Sequence, residues 1–413
     1  MKNLTKIEKH WILYDVANSA FIMMVSTIIP IFFKSICSSA GISDADSTAF
    51  WGYSLSISTL IVAFLGPTLG RLADEKDKKK KYFLFFLLMG CLGCASLGLA
   101  FSWLSFVVIF VIARIGYQSA NVFYDSMLTD ITSDERSHIV SSYGYALGYI
   151  GSCIPFVAAM AIVLLGDKIG LHGQTPVMIA LIITALWWFG LSLPLLKNYH
   201  QIHYNHEVEK QSFMDVLKGL KQTLIKVKNN KAVFYFLIAY FFYIDGVYTV
   251  IEMATSYGYD VGISETQLLL ALLLTQIIAF PFAIIFGKLS EKFKARKLIN
   301  ISIVGYIFIV CFALQLDKAW EFWFLAVCVA MFQGGIQALS RSYFARLVPK
   351  DNSNEYFGLF DIFGKGASFT GTLLVGVITQ VTNSSTMGVA GLLILLIAGL
   401  FVMRKVPQTD ADN

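Results

Sequence analysis

The chain has 413 residues, of which 56% are hydrophobic and only 14% charged. A soluble domain of this length carries more charge, and no single soluble core could hide so much apolar surface. The net charge of +5 sits on no polar domain, which excludes a nucleic-acid footprint and fits loops that face anionic lipid.

Lys2, Lys6 and Lys9 precede an apolar run from Trp11 to Phe33. That run is too long for the core of a cleaved signal, so it predicts a first membrane span. Eleven further stretches of spanning length follow: 50–70, 82–101, 104–125, 139–165, 176–196, 232–254, 266–287, 298–316, 320–341, 356–381 and 385–403. Almost all of the 32 Lys and Arg fall in alternate gaps, namely 1–10, 71–81, 125–138, 197–231, 288–297, 341–350 and 404–413. Short basic loops are retained in the cytoplasm. The alternation therefore predicts a multi-pass protein of the cell membrane with both termini cytoplasmic. Arg341 counts here as a base of the loop after span ten.

The fold class expected is an all-α membrane protein, with twelve transmembrane helices in two pseudo-symmetric six-helix bundles. Residues 1–196 form the first bundle and 232–413 the second. Between them, residues 197–231 form a polar cytoplasmic linker. Within it Phe213, Val216, Leu217, Leu220, Leu224 and Val227 recur at helical spacing, which predicts an amphipathic helix on the membrane surface. His200, His203 and His206 in this linker have no Cys or acid to complete a metal site, and are expected to be solvated. Cys91 and Cys94 form a CxxC inside an apolar stretch without further ligands, so packing is expected rather than metal or redox chemistry. No metal and no cofactor is implied.

The halves repeat. Gly70-Arg71-Leu72-Ala73-Asp74, followed by lysines, ends span two; Gly287-Lys288-Leu289-Ser290-Glu291, followed by bases, ends span eight. The glycine and the acid recur at the same offset. A duplicated six-span unit places its site between the repeats.

Both repeat loops resemble the signature loop of the major facilitator superfamily. Trp11-x-x-Tyr14-Asp15-x-Ala17-Asn18, Phe123-Tyr124-Asp125-Ser126, Gly144-x-Ala146-x-Gly148, Asp245-Gly246-Val247 and Gly335-Ile336-Gln337-Ala338-Leu339-Ser340-Arg341-Ser342 resemble the "unknown major facilitator" family. That family is related to fungal vacuolar effluxers that release amino acids. The first loop departs from the superfamily pattern, ending in Asp77 and lysines where many members have Gly-Arg. The resemblance implies that spans one, four, seven and ten line a central cavity. It also implies that Gly70, Asp74, Gly287 and Glu291 latch one conformation, the acids facing loop arginines and the start of a neighbouring helix.

Buried charge is costly in a bilayer, so each instance calls for a role. Charges fall within spans one, four, seven, ten (at its inner end) and eleven. Steps of four and seven residues return to one helix face. Arg114, Gln118, Asn121 and Asp125 thus share a stripe on span four; Asp245, Thr249 and Glu252 share one on span seven. Span one offers Asp15 and Asn18, span ten Gln333, Gln337 and Ser340, and span eleven Asp361 and Lys365. Such faces must look onto water or onto one another. Arg114 is the expected anchor for a substrate carboxylate; the alternative is a permanent pair with Asp15. Asp245 is the expected proton carrier; the alternative is a carboxylate held by Arg114, Tyr243 or Tyr248. Asp361 and Lys365 can pair with each other, or contact substrate. Gly144, Gly148 and Gly151 predict close helix packing, and the pair Gly334-Gly335 a looser span ten.

The function implied is secondary active transport of a small polar or zwitterionic solute, an amino acid first, by alternating access coupled to protons. The protein is expected to act as a monomer. The alternatives are the same fold moving a lipid or amphipathic cofactor, or a non-transporting membrane sensor. No HExxH, GxSxG or acidic metal pair occurs in the spans, so an enzyme is not expected.

Overall fold

The computed structural model describes residues 4–42, 44–205, 225–260, 263–382 and 384–409. Among them every regular element is helical. Span one is two helices, Lys6–Ser26 and Ile28–Ser39. Its break at Thr27 follows from Pro30, which has no N–H to give the carbonyl one turn earlier; the Thr27 hydroxyl turns back to the carbonyl of Met23 at 2.6 Å. Spans two to six are Asp44–Ala73, Lys79–Ser96, Trp103–Ser126, Asp134–Leu165 and Thr175–Asn198, with a short helix Leu128–Ile131 after span four. Spans seven to eleven are Lys231–Asp260, Glu265–Leu289, Ala295–Ala313, Ala319–Leu347 and Ser353–Thr382. Span twelve is split into Ser385–Ala390 and Leu392–Arg404. These are twelve spans in two six-helix bundles, as the hydropathy pattern predicts. The amphipathic linker helix falls largely in 206–224, outside the described residues.

Among the described residues, ten of the spans carry an uninterrupted apolar window long enough to cross a bilayer. Spans two and eleven lie against each other between the halves, meeting at Gly66 and Gly358. Spans five and eight do the same, with Gly287 against Ser142. The two contacts correspond under the internal repeat, span two matching span eight and span five matching span eleven. Elsewhere the bundle exposes large apolar side chains such as Phe85, Leu92, Leu186 and Phe401, as a lipid-facing wall does.

Small residues set the helix spacings. Gly144, Gly148 and Gly151 of span five press on Asp15, Ser19 and Val16 of span one, the close packing their spacing predicts. Gly334 and Gly335 do not loosen span ten, which runs unbroken. They let Ala283 and Phe286 of span eight approach, so close packing is their role too. All six cysteines are free, and Cys37, Cys91 and Cys94 are buried.

Candidate functional site

Between the halves, the polar stripes separate into two levels. The upper level holds Arg114. It is only partly buried, and its Nε has no hydrogen-bond partner. The expected alternative, a pair with Asp15, does not form. The charge that acts on Arg114 is Glu252 of span seven, in the other half, with Tyr117 beside it. Glu252 is exposed to solvent. Asn121, half-buried on the same stripe, accepts from Asn18 at 3.2 Å and from Tyr14 at 3.4 Å, tying span one to span four. Gln118 leaves the stripe: it is buried and donates to Thr59 of span two at 3.4 Å. Its angular offset from Arg114 is enough to turn it into the N-terminal bundle. Gln333 is buried among the C-terminal helices, whereas Gln337 accepts from Tyr149 of span five at 3.3 Å.

Asp245 is fully buried, but none of the expected partners holds it. Its Oδ1 accepts from the backbone N–H of Gly371 in span eleven at 2.8 Å and from Thr249 at 3.3 Å; its Oδ2 has no partner. Any side chain at position 371 would collide with Asp245 and Thr249. Tyr243 turns instead to Ser340 at 2.7 Å. Asp361 lies within electrostatic range of Asp125 and Tyr248. The Lys365 side chain is not among those described, so its pairing with Asp361 lies outside the described structure.

The lower level, toward the end carrying both termini, is built around a residue the charge pattern assigns to a loop. Arg341 is buried in span ten, 2% exposed. Its Nη2 donates to Asp15 at 3.0 Å, its Nη1 to Asp125 at 3.1 Å and its Nε to the Ser141 hydroxyl at 2.9 Å. The guanidinium also lies 4.6 Å from the Trp11 ring and 4.3 Å from the Tyr145 ring. A planar, weakly hydrated cation suits such a cage. Every one of these partners belongs to the N-terminal half. Two carboxylates face one guanidinium, so the cage holds one negative charge in excess when both acids are ionised. Gly144 leaves the room that Asp15 and Arg341 occupy.

Further contacts between the halves gather at this end. Asp74, buried, accepts from the backbone N–H groups of Asn354 and Glu355, both at 3.1 Å, and from Asn354 Nδ2 at 2.7 Å. These N–H groups begin span eleven, where a helix favours an anion, as the resemblance implies. Burial pushes the Asp74 carboxyl up to about 7, against the opposing pull of Lys79 and the three N–H donors. Gly70 lets the two backbones meet, since a Cβ there would strike Asn354. Ser126 of span four bonds the Asn354 side chain. The second copy of the loop behaves differently. Glu291 is exposed, and no side-chain hydrogen bond or ion pair holds it among the described residues. The helix it would approach, span five, opens with Asp134 and Glu135, which repel a carboxylate.

Beside Asp74 lies a cluster the sequence assigned to solvated loops. Lys79 is fully buried and donates to Asp130 at 2.8 Å and to Ser353 of span eleven at 3.3 Å. Asp130 also accepts from the Tyr199 hydroxyl at 2.5 Å and from the backbone of His203 at 2.9 Å, with His203 Nδ1 at 3.0 Å. Burial holds the Tyr199 phenol well above its usual range, so it stays a donor. The start of the linker, 199–205, is thereby strapped across the Gly70–Lys79 loop. It ends with Asn205 donating to the Asp74 carbonyl at 2.8 Å and to Asn352 at 2.9 Å. His203 is a structural ligand of Asp130, not a solvated linker residue.

Two six-helix repeats, sealed at one end and meeting along a polar seam, define the major facilitator class of membrane transporters. The solved structures agree in fold. The proton:xylose symporter XylE superposes with a TM-score of 0.75 at 12% identity, over 98% of this chain and 96% of that one. The transporter FucP in its outward conformation gives 0.74 at 12% identity, over 98% of both chains. Within that class the chain belongs to the family described as vacuole effluxer Atg22 like, which matches residues 5–413. It is 44% identical to the uncharacterized MFS-type transporter YxiO of Bacillus subtilis, over 100% of this chain and 97% of that protein. It is 24% identical to autophagy-related protein 22 of Kluyveromyces lactis, over 87% of this chain and 80% of that one.

Proposed function

We propose that this transporter moves a small zwitterionic solute, an amino acid first, by proton-coupled alternating access, as a monomer with both termini in the cytoplasm. The observation that carries the reading is the opposition of Arg114 and Glu252 across the seam. A cation on one half and an anion on the other suit a ligand bearing a carboxylate and an ammonium group. Arg114 takes the carboxylate, through donors such as its unpartnered Nε. Glu252 takes the ammonium. Closing the two halves on the solute brings the opposite charges to it together.

The proton is carried by Asp245. It is buried, has no cation against it among the described residues, and keeps one oxygen free. It also joins span seven to span eleven through Gly371, so its charge state acts on the packing of the C-terminal half. With the basic face cytoplasmic, the contacts at Asp74, Asp130 and Arg341 seal the cytoplasmic side, and the state described is open to the outside.

The test is flux in proteoliposomes under an imposed pH gradient, using labelled amino acids with neutral sugars as the comparison. Arg114→Ala is expected to weaken uptake of carboxylate-bearing solutes at least about tenfold more than that of neutral ones, a charge-assisted contact being worth about 1.5–3 kcal/mol. Equal losses would make the arginine structural. Asp245→Asn is expected to abolish proton-driven uptake while sparing counterflow; an unchanged pH dependence of uptake would refute its role.

A further inference from the structure

The seam at the terminal face contains a second titratable group, absent from the coupling scheme above. His138 stands in the second turn of span five, buried against span ten. Its Nδ1 lies 2.6 Å from the Ser342 hydroxyl and its Nε2 lies 3.0 Å from Nη1 of Arg346. A guanidinium offers only donors, so Nε2 must supply a lone pair. The single ring hydrogen is then on Nδ1 and is donated to Ser342. Ser342 can accept it because its own proton goes to the Ala338 carbonyl at 2.8 Å. The direction of every bond in this chain is fixed by the arginine at its end. The closed seam thus requires a neutral imidazole.

Protonation has no partner here. It would set an N–H against an N–H and a cation against a cation at the same 3.0 Å separation. The charges on the neighbouring elements do not offset it. Asp134, one turn earlier on span five, is paired with Lys350 at 3.3 Å. Arg136 is engaged with Glu8 of span one at 2.8 Å. Glu135 acts on Arg346 and Lys350. Span eight brings Gly287 against Ser142, with Lys288 next in the chain and Glu291 exposed beyond. Among the described residues no carboxylate contacts the ring.

We propose that His138 is a proton-binding site of the seam, and that a proton taken up there releases the face that carries both termini. The inference rests on the alternating-access reading. Its ligand is a proton entering from that face, and its site is, among the described residues, the inter-half contact in which an imidazole opposes a fixed cation. The linkage has a definite sign. The open, hydrated imidazole binds a proton below about pH 6.5 and the closed one does not, so closure weakens about tenfold for each pH unit below that point. Asp74 acts in the opposite sense. Its carboxyl is raised to about 7 when closed, so its contribution to closure is present at low pH and lost as pH rises through about 7. The two effects overlap, and only a difference measurement separates them.

The experiment places spin labels on Lys81→Cys and Lys294→Cys, exposed on opposite halves of the terminal face, in a background with the six native cysteines replaced. The closed-to-open ratio is read from the interlabel distance in nanodiscs between about pH 8 and about pH 4.5, bracketing the imidazole range. His138→Gln supplies a neutral acceptor for Arg346 and cannot titrate. The ratio in this variant, divided by that in the parent, is expected to rise about tenfold per pH unit below about 6.5. The contribution of Asp74 cancels in that quotient. A quotient independent of pH overturns the proposal, whatever the absolute ratios. Should His138→Gln not fold, His138→Asn serves the same comparison. A pH-dependent quotient without any solute flux in liposomes would sink the transport reading and leave this site standing.

Discussion

At the scale of single residues, the deciding groups are buried ions whose partners lie in the other half of the chain. Arg341 is the clearest. Its charge is balanced by Asp15 and Asp125 and its face by Trp11 and Tyr145. Truncating one member of such a group leaves the others desolvated and unpaired, which costs roughly 3–5 kcal/mol. Arg341→Ala is therefore expected to lower the thermal unfolding temperature markedly in detergent. The uncharged combination D15N/D125N/R341M should recover most of the loss. If the single variant melts like the parent, the cage contributes nothing to stability. The sequence carried a usable signal for this residue. Gln333, Gln337 and Arg341 step by four along one face of span ten, yet proximity to the basic loop assigned Arg341 to water. Lys79 had no such signal, because it is one of four consecutive lysines and only packing distinguishes it from its neighbours.

At the scale of elements, pairs of spans explain which local expectations hold. The glycines of span five and of the span two loop are legible because a missing Cβ has one consequence in a membrane helix, which is close approach. The helix start that receives Asp74 was legible through the family resemblance, and the structure supplies it with three N–H donors. The strap of residues 199–205 was not legible, since nothing in Tyr199-His200-Gln201-Ile202-His203-Tyr204-Asn205 marks it off from a solvated linker. It depends on Asp130, whose carboxylate gathers Lys79, Tyr199, Ile202 and His203. Asp130→Asn removes the charge that these donors share. The amides of Ile202 and His203 are then expected to exchange hydrogen about tenfold faster or more, as a segment loses its local protection. Unchanged exchange would show that the strap is held by other contacts.

At the scale of the whole molecule, the sequence by itself determined the number of spans, the division into two repeats and the stripes that carry charge. Hydropathy and helical periodicity are local properties, and a bilayer admits few ways of satisfying them. The partners were a different matter. Asp15 faces Arg341 and not Arg114, Asp245 faces the backbone of Gly371, and the two copies of the repeated loop diverge, one acid seated on a helix start and the other in water. Only the tertiary structure decided these, because each is a contact between surfaces hundreds of residues apart in the chain or on different helices. Ion pairs of that kind depend on which side chains can reach one another without leaving a charge unpaired, and no periodicity along a single helix encodes that.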